Sequence, residues 1–256
     1  MKNLKNYLIK SKQRCTKYRK RLLDISQKVS ALHIGGSFSS CEIQEAIYNY
    51  FIKKNKKDTF ILSKGHCAIM QYIILEDLKI FKKGELDTYC QKNSKVGVHP
   101  EFFMNGIEAS TGSLGHGLAI GAGIAKAKKK NTVYIVVSDG ELMEGSSWEA
   151  ILLIPALKIN NIVLIIDNND LQSATKATDT HPNLYPLKDK IQSFGWNTIE
   201  CDGHNTAKII KAINNKSKQK PFCLIGKTIK GFPVSFMMNQ PLWHYRAPNK
   251  KEYLQA

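Results

Sequence analysis

Polar residues follow two apolar runs in the middle of the chain, at the point where each run ends. Asp139 and Gly140 come after VYIVV (133–137), and Asn169 comes after NIVLIID (161–167). Asp and Asn side chains supply the hard oxygen ligands that Mg²⁺ prefers, and a glycine lets backbone N–H groups approach an anion. If the two tips lie together, they form a site for a magnesium-bound diphosphate, with a backbone carbonyl as a further ligand. The alternative is that both tips are ordinary turns.

The same two runs predict the elements that position these tips. Both are rich in β-branched residues, and SSWEAILLIPALK (146–158) between them has the length of a helix, which indicates a βαβ unit. A helix over 207–214 and a strand within 221–228 continue the alternation. Strands that are apolar on both faces are typical of a parallel sheet, which binds ligands beyond the carboxyl ends of its strands. The predicted fold class is α/β, with a parallel sheet flanked by helices on both faces.

The N-terminal part of the chain has helical periodicity. Apolar positions predict amphipathic helices over 4–31 and 41–52, separated by HIGGSFSS (33–40). We expect the glycine pair in that segment to break the helix and its serines to cap the next one.

Length and composition exclude several classes of protein. The chain has 256 residues, of which 43% are hydrophobic, enough for a core, and it contains no repeat or linker, so a single domain over 1–256 is expected. Its longest apolar runs are far shorter than the roughly 20 residues of a membrane span. The basic N-terminus lacks the apolar stretch of a signal peptide. We therefore expect a cytoplasmic protein that does not enter a membrane.

The charge of the chain raises the question of a polyanionic partner. The net charge is +17, but 34 of the 38 basic residues are lysines, whereas base readout favours arginine. This composition favours a diffuse lysine-rich surface and no nucleic-acid partner. The alternative is a non-catalytic basic remnant that binds nucleic acid with a steep salt dependence. The six cysteines lack the CxxC spacing of a zinc or redox site, so scattered, reduced and mostly buried thiols are expected.

Several segments resemble, in the same order, the motifs of the transketolase family. Asp139 and Asn169 lie 30 residues apart with Glu144 and a tryptophan-bearing helix between them, as in the thiamine diphosphate motif of that family. The other matching segments are FILSKGH (60–66), HPE (99–101), GIEASTGSLGHG (106–117), SDGELMEGSSWEA (138–150), FGW (194–196), DGH (202–204) and KTIKG (227–231) with WH (243–244). The resemblance covers about residues 5–250.

This resemblance implies an enzyme that transfers a two-carbon ketol unit from a ketose phosphate to an aldose phosphate with thiamine diphosphate and Mg²⁺ or Ca²⁺. It implies a metal site of Asp139, Asn169 and the Leu171 carbonyl. The other implied cofactor contacts are Gly140, His66 and His244 at the diphosphate, and Gly112, Ser113 and Leu114 at the aminopyrimidine. The implied catalytic groups are His33, His66 and His99 at the entrance to the reacting carbon, together with His244.

Two kinds of residue carry a less direct implication. By resemblance, Glu144 joins a buried carboxylate relay between two active sites, and the alternative is a helix-start acid that interacts with the macrodipole. We expect the remaining histidines, His116, His181 and His204, to be structural or surface residues.

Three positions depart from the family pattern. Ser138 replaces a glycine, so its side chain is expected to shift the end of the strand. Ile34 replaces a proline, which frees a backbone N–H and loosens the restraint around His33. Tyr245 replaces a glycine and adds bulk beside His244.

The resemblance further implies a split enzyme. The pyrimidine-binding and C-terminal domains of the family are absent from this chain and are expected on a partner subunit, in an α2β2 assembly that acts on sugar phosphates. The particular ketose donor and aldose acceptor are not readable from these residues. The rival hypothesis is half of a related thiamine diphosphate enzyme that acts on an unusual sugar or acyloin.

Overall fold

The computed structural model describes residues 2–82, 84–173 and 175–256. Its helices are α1 (Lys2–Ser26), α2 (Ile34–Ser39), α3 (Cys41–Ala46, continued by a π-helical turn Ile47–Ile52), α4 (Ala68–Asp77), α5 (Gly117–Ala127), α6 (Gly145–Ala156), α7 (Ala177–Thr180), α8 (Leu187–Ser193), α9 (Thr206–Asn214) and α10 (Lys250–Gln255). Its strands are β1 (Thr59–Leu62), β2 (Val133–Ser138), β3 (Ile162–Asn168), β4 (Leu171–Gln172), β5 (Thr175–Lys176), β6 (Asn197–Asp202) and β7 (Phe222–Lys227).

Five strands form one parallel sheet in the order β1-β2-β3-β7-β6, and β4 and β5 form a small hairpin. The predicted strands β2, β3 and β7 and the helices α6 and α9 are confirmed. The strands β1 and β6 were not predicted. β1 has only four residues, and β6 is partly exposed along its length, so neither carries the continuous apolar pattern by which β2 and β3 are recognised.

Helices cover both faces of this sheet, as predicted. Along β2, Tyr134 and Val136 pack into a core with α1, α3, α4 and α9, whereas Ile135 and Val137 pack into a second core with α5, α6 and α8. Since successive side chains of a strand point to opposite faces, this alternation places β2 between two layers. At the carboxyl edge of the sheet, the Ser39 hydroxyl of α2 donates to the Asp167 carboxylate of β3 at 2.6 Å.

The segment between the first two long helices differs from its prediction. α1 ends at Ser26, and the glycine pair lies inside α2 instead of breaking a helix. A Cβ at Gly35 would lie 2.8 Å from the Trp243 carbonyl oxygen, and one at Gly36 would lie 2.8 Å from the Cys67 sulfur. These glycines therefore permit close packing. The serines do not cap α3 through their side chains, because Ser40 makes no capping hydrogen bond.

The cysteines are free, and four of the six are buried, as expected. The fold nevertheless brings the sulfur atom of Cys15 near that of Cys41 and near the carboxylate of Glu42, although Cys15 is distant from both residues in the sequence. That carboxylate is bound by Arg19 at 2.6 and 2.7 Å and by His204 at 3.1 Å. His204 is thus a structural residue, as predicted. Within the described ranges, no helix combines the length and apolar character needed to cross a membrane.

Candidate functional site

The two polar tips lie side by side at the carboxyl edge of the sheet. Ser138 is paired with Asp167 at the end of β2 and β3, so the residues that follow them emerge together. The Asp139 carboxylate is fully buried and accepts hydrogen bonds from the backbone N–H groups of Gly140 at 3.0 Å and Asp170 at 2.6 Å. The Asn169 side-chain oxygen accepts one from the Leu171 N–H at 3.0 Å. The predicted convergence of Asp139 with Asn169 and Leu171 is therefore present.

The donor set suits a hard divalent cation. Carboxylate, amide and carbonyl oxygens of Asp139, Asn169 and Leu171 are all hard ligands. Burial, and next the nearby Asp167 carboxylate, raise the pKa of Asp139 to about 6, so the pocket favours a bound positive charge. A Cβ at Gly140 would lie 3.0 Å from the Cβ of Gln172, and the glycine thus permits close packing of the two loop tips.

Three imidazoles cluster beside these oxygens. The ring centroid of His33 lies 5.1 Å from that of His66 and 5.0 Å from that of His244, and the centroids of His66 and His244 lie 5.8 Å apart. Burial is the largest cause that lowers the pKa of His33 to about 3 and that of His244 to about 4, and it lowers the pKa of His66 well below its usual range. The buried Nδ1 of His33 has no hydrogen-bond partner among the described residues. Near neutral pH the cluster is uncharged.

His99 stands apart from this cluster. It is exposed, and its ring lies against Gly112, where an added Cβ would come within 2.6 Å of the ring. Gly112 has a φ of +141°, a backbone conformation that residues with a side chain rarely adopt. The hydroxyl of Tyr72 donates to the His99 carbonyl at 2.7 Å and holds the backbone of this segment. A Coulomb interaction with His99 is nonetheless one of the causes that lower the pKa of His33.

The loop that carries His66 packs closely, through Gly65, against the segment predicted to contact the aminopyrimidine. A Cβ at Gly65 would lie 2.6 Å from the Thr111 carbonyl carbon and 2.7 Å from the Gly112 nitrogen. Beyond this contact, Ser113 is exposed and Leu114 is half-buried. The predicted contact residues Gly112, Ser113 and Leu114 therefore form a rim beside the loop that carries His66.

Sequence reasoning missed two buried lysines at this site. The Lys64 ammonium lies 2.5 Å from the Asp167 carboxylate, and both side chains are essentially inaccessible to solvent. Lys230 is also buried, with its Nζ 3.1 Å from His244 Nδ1 and 3.5 Å from the Leu171 carbonyl oxygen. Within the described part of the chain, Lys230 has no carboxylate partner in an ion pair, and burial lowers its pKa to about 8. Both lysines lie inside the motifs quoted above, but they are inconspicuous among 34 lysines.

Comparison with known proteins identifies the family. Residues 11–252 match the family model described as transketolase, thiamine diphosphate binding domain. The chain belongs to this family. It is 36% identical over 253 residues to a subunit of apulose-4-phosphate transketolase from Phocaeicola vulgatus, a match that covers 94% of this chain and 90% of that protein. It is 33% identical over 232 residues to a subunit of 6-deoxy-6-sulfo-D-fructose transketolase from Clostridium sp., covering 85% of this chain and 84% of that protein.

The fold agrees with this membership. The structure of a Pichia stipitis transketolase in complex with sedoheptulose 7-phosphate superposes with a TM-score of 0.87 at 25% identity, over 96% of this chain and 40% of that one. The chain thus spans about 40% of the length of that solved transketolase. The relatives support a transketolase-type transferase function that depends on thiamine diphosphate.

Two glutamates of the transketolase segment SDGELMEGSSWEA occupy different environments. Glu141, which sequence reasoning did not single out, is fully buried and accepts hydrogen bonds from the Ser63 hydroxyl at 2.5 Å and the Gly115 N–H at 2.9 Å. These hydrogen bonds connect the loop after β1, which carries Ser63, with the loop before α5, which carries Gly115. Glu144 is exposed at the start of α6 and makes no side-chain capping hydrogen bond. Its position at the helix start is the one that the alternative describes, and the carboxylate relay between two active sites stays a prediction.

The three departures from the family pattern have structural outcomes. The strand continues regularly through Ser138, contrary to the expected shift, and the Ser138 hydroxyl accepts a hydrogen bond from the Glu141 N–H at 3.1 Å. The N–H of Ile34 is not left free, because it donates to the Leu32 carbonyl at 2.9 Å. The Tyr245 ring lies against His33, tilted by 42° with ring centroids 4.6 Å apart.

Proposed function

We propose that this chain holds the metal and the diphosphate of thiamine diphosphate in a transketolase built from two kinds of subunit. The assembled enzyme moves a two-carbon ketol unit from a ketose phosphate to an aldose phosphate. The observation that carries this proposal is the convergence of the Asp139, Asn169 and Leu171 oxygens with the buried Lys230 and three neutral imidazoles at one sheet edge.

Each of these groups has a role toward the cofactor. Asp139, Asn169 and the Leu171 carbonyl hold Mg²⁺, or Ca²⁺, which accepts the same oxygen ligands. The Gly140 N–H, His66 and His244 contact the diphosphate. Lys230 supplies positive charge beside them, and an anion there favours its charged form. When bound, the cofactor supplies a thiazolium carbon that stabilises the carbanion formed by cleavage of the ketose.

The remaining residues orient the cofactor and manage protons. Gly112, Ser113 and Leu114 form the rim against the aminopyrimidine, where a glycine permits close approach. His33, His66 and His99 donate to the substrate carbonyl and exchange protons with its hydroxyl groups, a role suited to imidazoles. Glu144 joins a carboxylate relay that is buried only in the assembly.

The partner supplies the pyrimidine-binding half of the site. Two of the relatives are named as transketolase subunits, and the chain covers 90% and 84% of their lengths, which supports a second kind of subunit. Exposed apolar side chains support an assembly, because large exposed apolar groups mark interaction surfaces. They include Phe102 and Phe103, which follow His99 and are 68% and 71% exposed, and Leu152 and Leu153 on α6, which are 57% and 52% exposed. The proposed assembly is an α2β2 tetramer in the cytoplasm.

The substrate admits a second candidate. The relatives are named for apulose 4-phosphate and for 6-deoxy-6-sulfo-D-fructose, which favours a ketol transferase that acts on an unusual sugar. An ordinary ketose phosphate and such a sugar share the ketol unit that is transferred. The cofactor site described above serves both.

Calorimetric titration of thiamine diphosphate tests the cofactor half of the proposal. In the presence of Mg²⁺ we expect Asp139→Ala to abolish metal-dependent binding, because it removes the charged metal ligand. Asp179→Ala, at an exposed position on the nearby α7, is the matched control and is expected to bind as the unmodified chain does. Unchanged affinity in Asp139→Ala would overturn the metal assignment.

A further inference from the structure

Tyr245 covers one side of the imidazole cluster. Its ring lies 4.6 Å from the His33 ring, tilted by 42°. The other neighbours of His33 are the rings of His66 and His244, at 5.1 and 5.0 Å. His33 is therefore flanked by three rings, and Tyr245 is the one whose ring is not an imidazole.

Much of the Tyr245 side chain nevertheless remains free. Its exposed fraction is 52%, and no hydrogen bond of its hydroxyl occurs among the described residues. The backbone of Tyr245 has a φ of −140°, which any residue adopts, so the chain conformation here does not require the glycine that is usual in the family. The ring is thus an addition to the site that the backbone tolerates without strain.

We propose that Tyr245 is a specificity residue of this site, which restricts the length of the ketose donor by narrowing the entrance beside His33. This inference rests on the proposed function, in which His33 meets the donor. All donors share the carbons of the ketol unit and differ in the chain beyond it. A rigid ring that narrows the entrance therefore restricts a donor more, the longer the chain that it carries beyond the ketol unit, and it restricts a short donor least.

The physical basis is steric. When a pocket gains or loses space for one methylene group, the ratio of kcat/KM between two substrates that differ by that group changes by roughly 10- to 200-fold. An aromatic ring in place of a hydrogen removes more space than one methylene group. The Tyr245 ring lies on His33, which is not one of the proposed metal ligands.

The test is donor competition in the assembled enzyme, prepared by co-expression with its pyrimidine-binding subunit. For unmodified and Tyr245→Gly assemblies, kcat/KM is measured with hydroxypyruvate, a five-carbon and a six-carbon ketose phosphate. We expect Tyr245→Gly to raise the six-carbon to three-carbon ratio by about 10-fold or more. Tyr245→Phe should keep the original ratio, because it retains the ring. Leu242→Ala is the matched control, since Leu242 is 66% exposed on the same turn, and should also keep it.

A second readout does not depend on turnover. In the cofactor-free assembly, we expect Tyr245→Gly to increase the rate at which diethylpyrocarbonate modifies His33, measured by peptide mass spectrometry. His181, which is exposed on another turn, is the internal control. An unchanged rate at His33, or a change in kcat/KM that is equal for all donors, would overturn the inference while leaving the proposed function intact. Failure of the unmodified assembly to transfer from any donor would overturn both.

Discussion

Replacement of Lys64 by methionine removes the buried ion pair between Lys64 and Asp167 beside the proposed metal site. The Lys64 ammonium lies 2.5 Å from the Asp167 carboxylate, with 1% of the lysine side chain and none of the aspartate side chain exposed. Asp167 also accepts hydrogen bonds from the hydroxyl groups of Ser39 at 2.6 Å and Thr228 at 2.5 Å. Methionine retains most of the lysine stem. The variant therefore removes the charge and leaves a buried carboxylate with two hydroxyl donors.

The expected cost follows from this geometry. Removal of one partner of a buried ion pair costs about 3–5 kcal/mol, because it leaves an uncompensated charge. The two hydroxyl groups remain, so we expect the lower end, about 3 kcal/mol. For a chain of this size that corresponds to a fall in Tm of roughly 6–12 °C. In the double variant Lys64→Met with Asp167→Asn, no buried charge of the pair is left. We therefore expect the double variant to be more stable, by at least about 1 kcal/mol in the free energy of unfolding, than the sum of the two single effects predicts.

The assay is thermal and urea unfolding of the unmodified chain, both single variants and the double variant. Lys57→Met, at an exposed position, is the control for loss of a lysine and should change stability by less than about 0.5 kcal/mol. Additive effects of the two single variants, or a Lys64→Met chain as stable as the control, would refute the reasoning. Either result would mean that the ammonium and carboxylate do not stabilise each other.

Three further predictions concern packing, pH and a helix end. Gly65→Ala places a Cβ 2.6 Å from the Thr111 backbone and should weaken thiamine diphosphate binding by about tenfold or more in a titration. Gly97→Ala is the control, because a Cβ at Gly97 has no atom within 4 Å, and it should leave the affinity unchanged. Equal affinities of the two variants would contradict the packing argument. The pKa of His33 is lowered to about 3, so its contribution to stability is complete above its unfolded pKa near 6.5 and is lost as the pH falls toward 3, by at most about 1.4 kcal/mol per pH unit. His33→Asn should therefore flatten the acid decline of the unfolding free energy, and a parallel decline would exclude this cause. The Asn161 side chain donates to the carbonyls of Ala125, Lys128 and Asn131 at 2.8–3.2 Å, so Asn161→Ala should cost about 1–3 kcal/mol in urea unfolding, whereas an unchanged midpoint would show that water replaces the amide.

The elements that sequence could predict are those with a continuous pattern. The β-branched runs that became β2 and β3 end next to Asp139 and Asn169, so the edge of the sheet and its polar tips followed from one pattern. α2 could not be predicted in this way. Its glycines read as a break, and only the tertiary contact with Trp243 and Cys67 explains why they occur within a helix.

The same limit applies to the site. Histidines and carboxylates are few enough to be noticed, whereas Lys64 and Lys230 stand among 34 lysines and become conspicuous through their burial. Burial depends on how the loops after β1 and β7 fold over the sheet edge, which no local pattern encodes. The exposure of Glu144 likewise depends on surfaces that belong to an assembly, so its predicted relay remains a prediction.

The most direct test of the central claim is ketol transfer from xylulose 5-phosphate to ribose 5-phosphate with thiamine diphosphate and Mg²⁺. It is measured with this chain alone, with its candidate pyrimidine-binding partner alone, and with the mixture. Activity in the mixture only is the predicted result, since in the proposed assembly each subunit supplies one half of the cofactor site. Full turnover by this chain alone would contradict the split site.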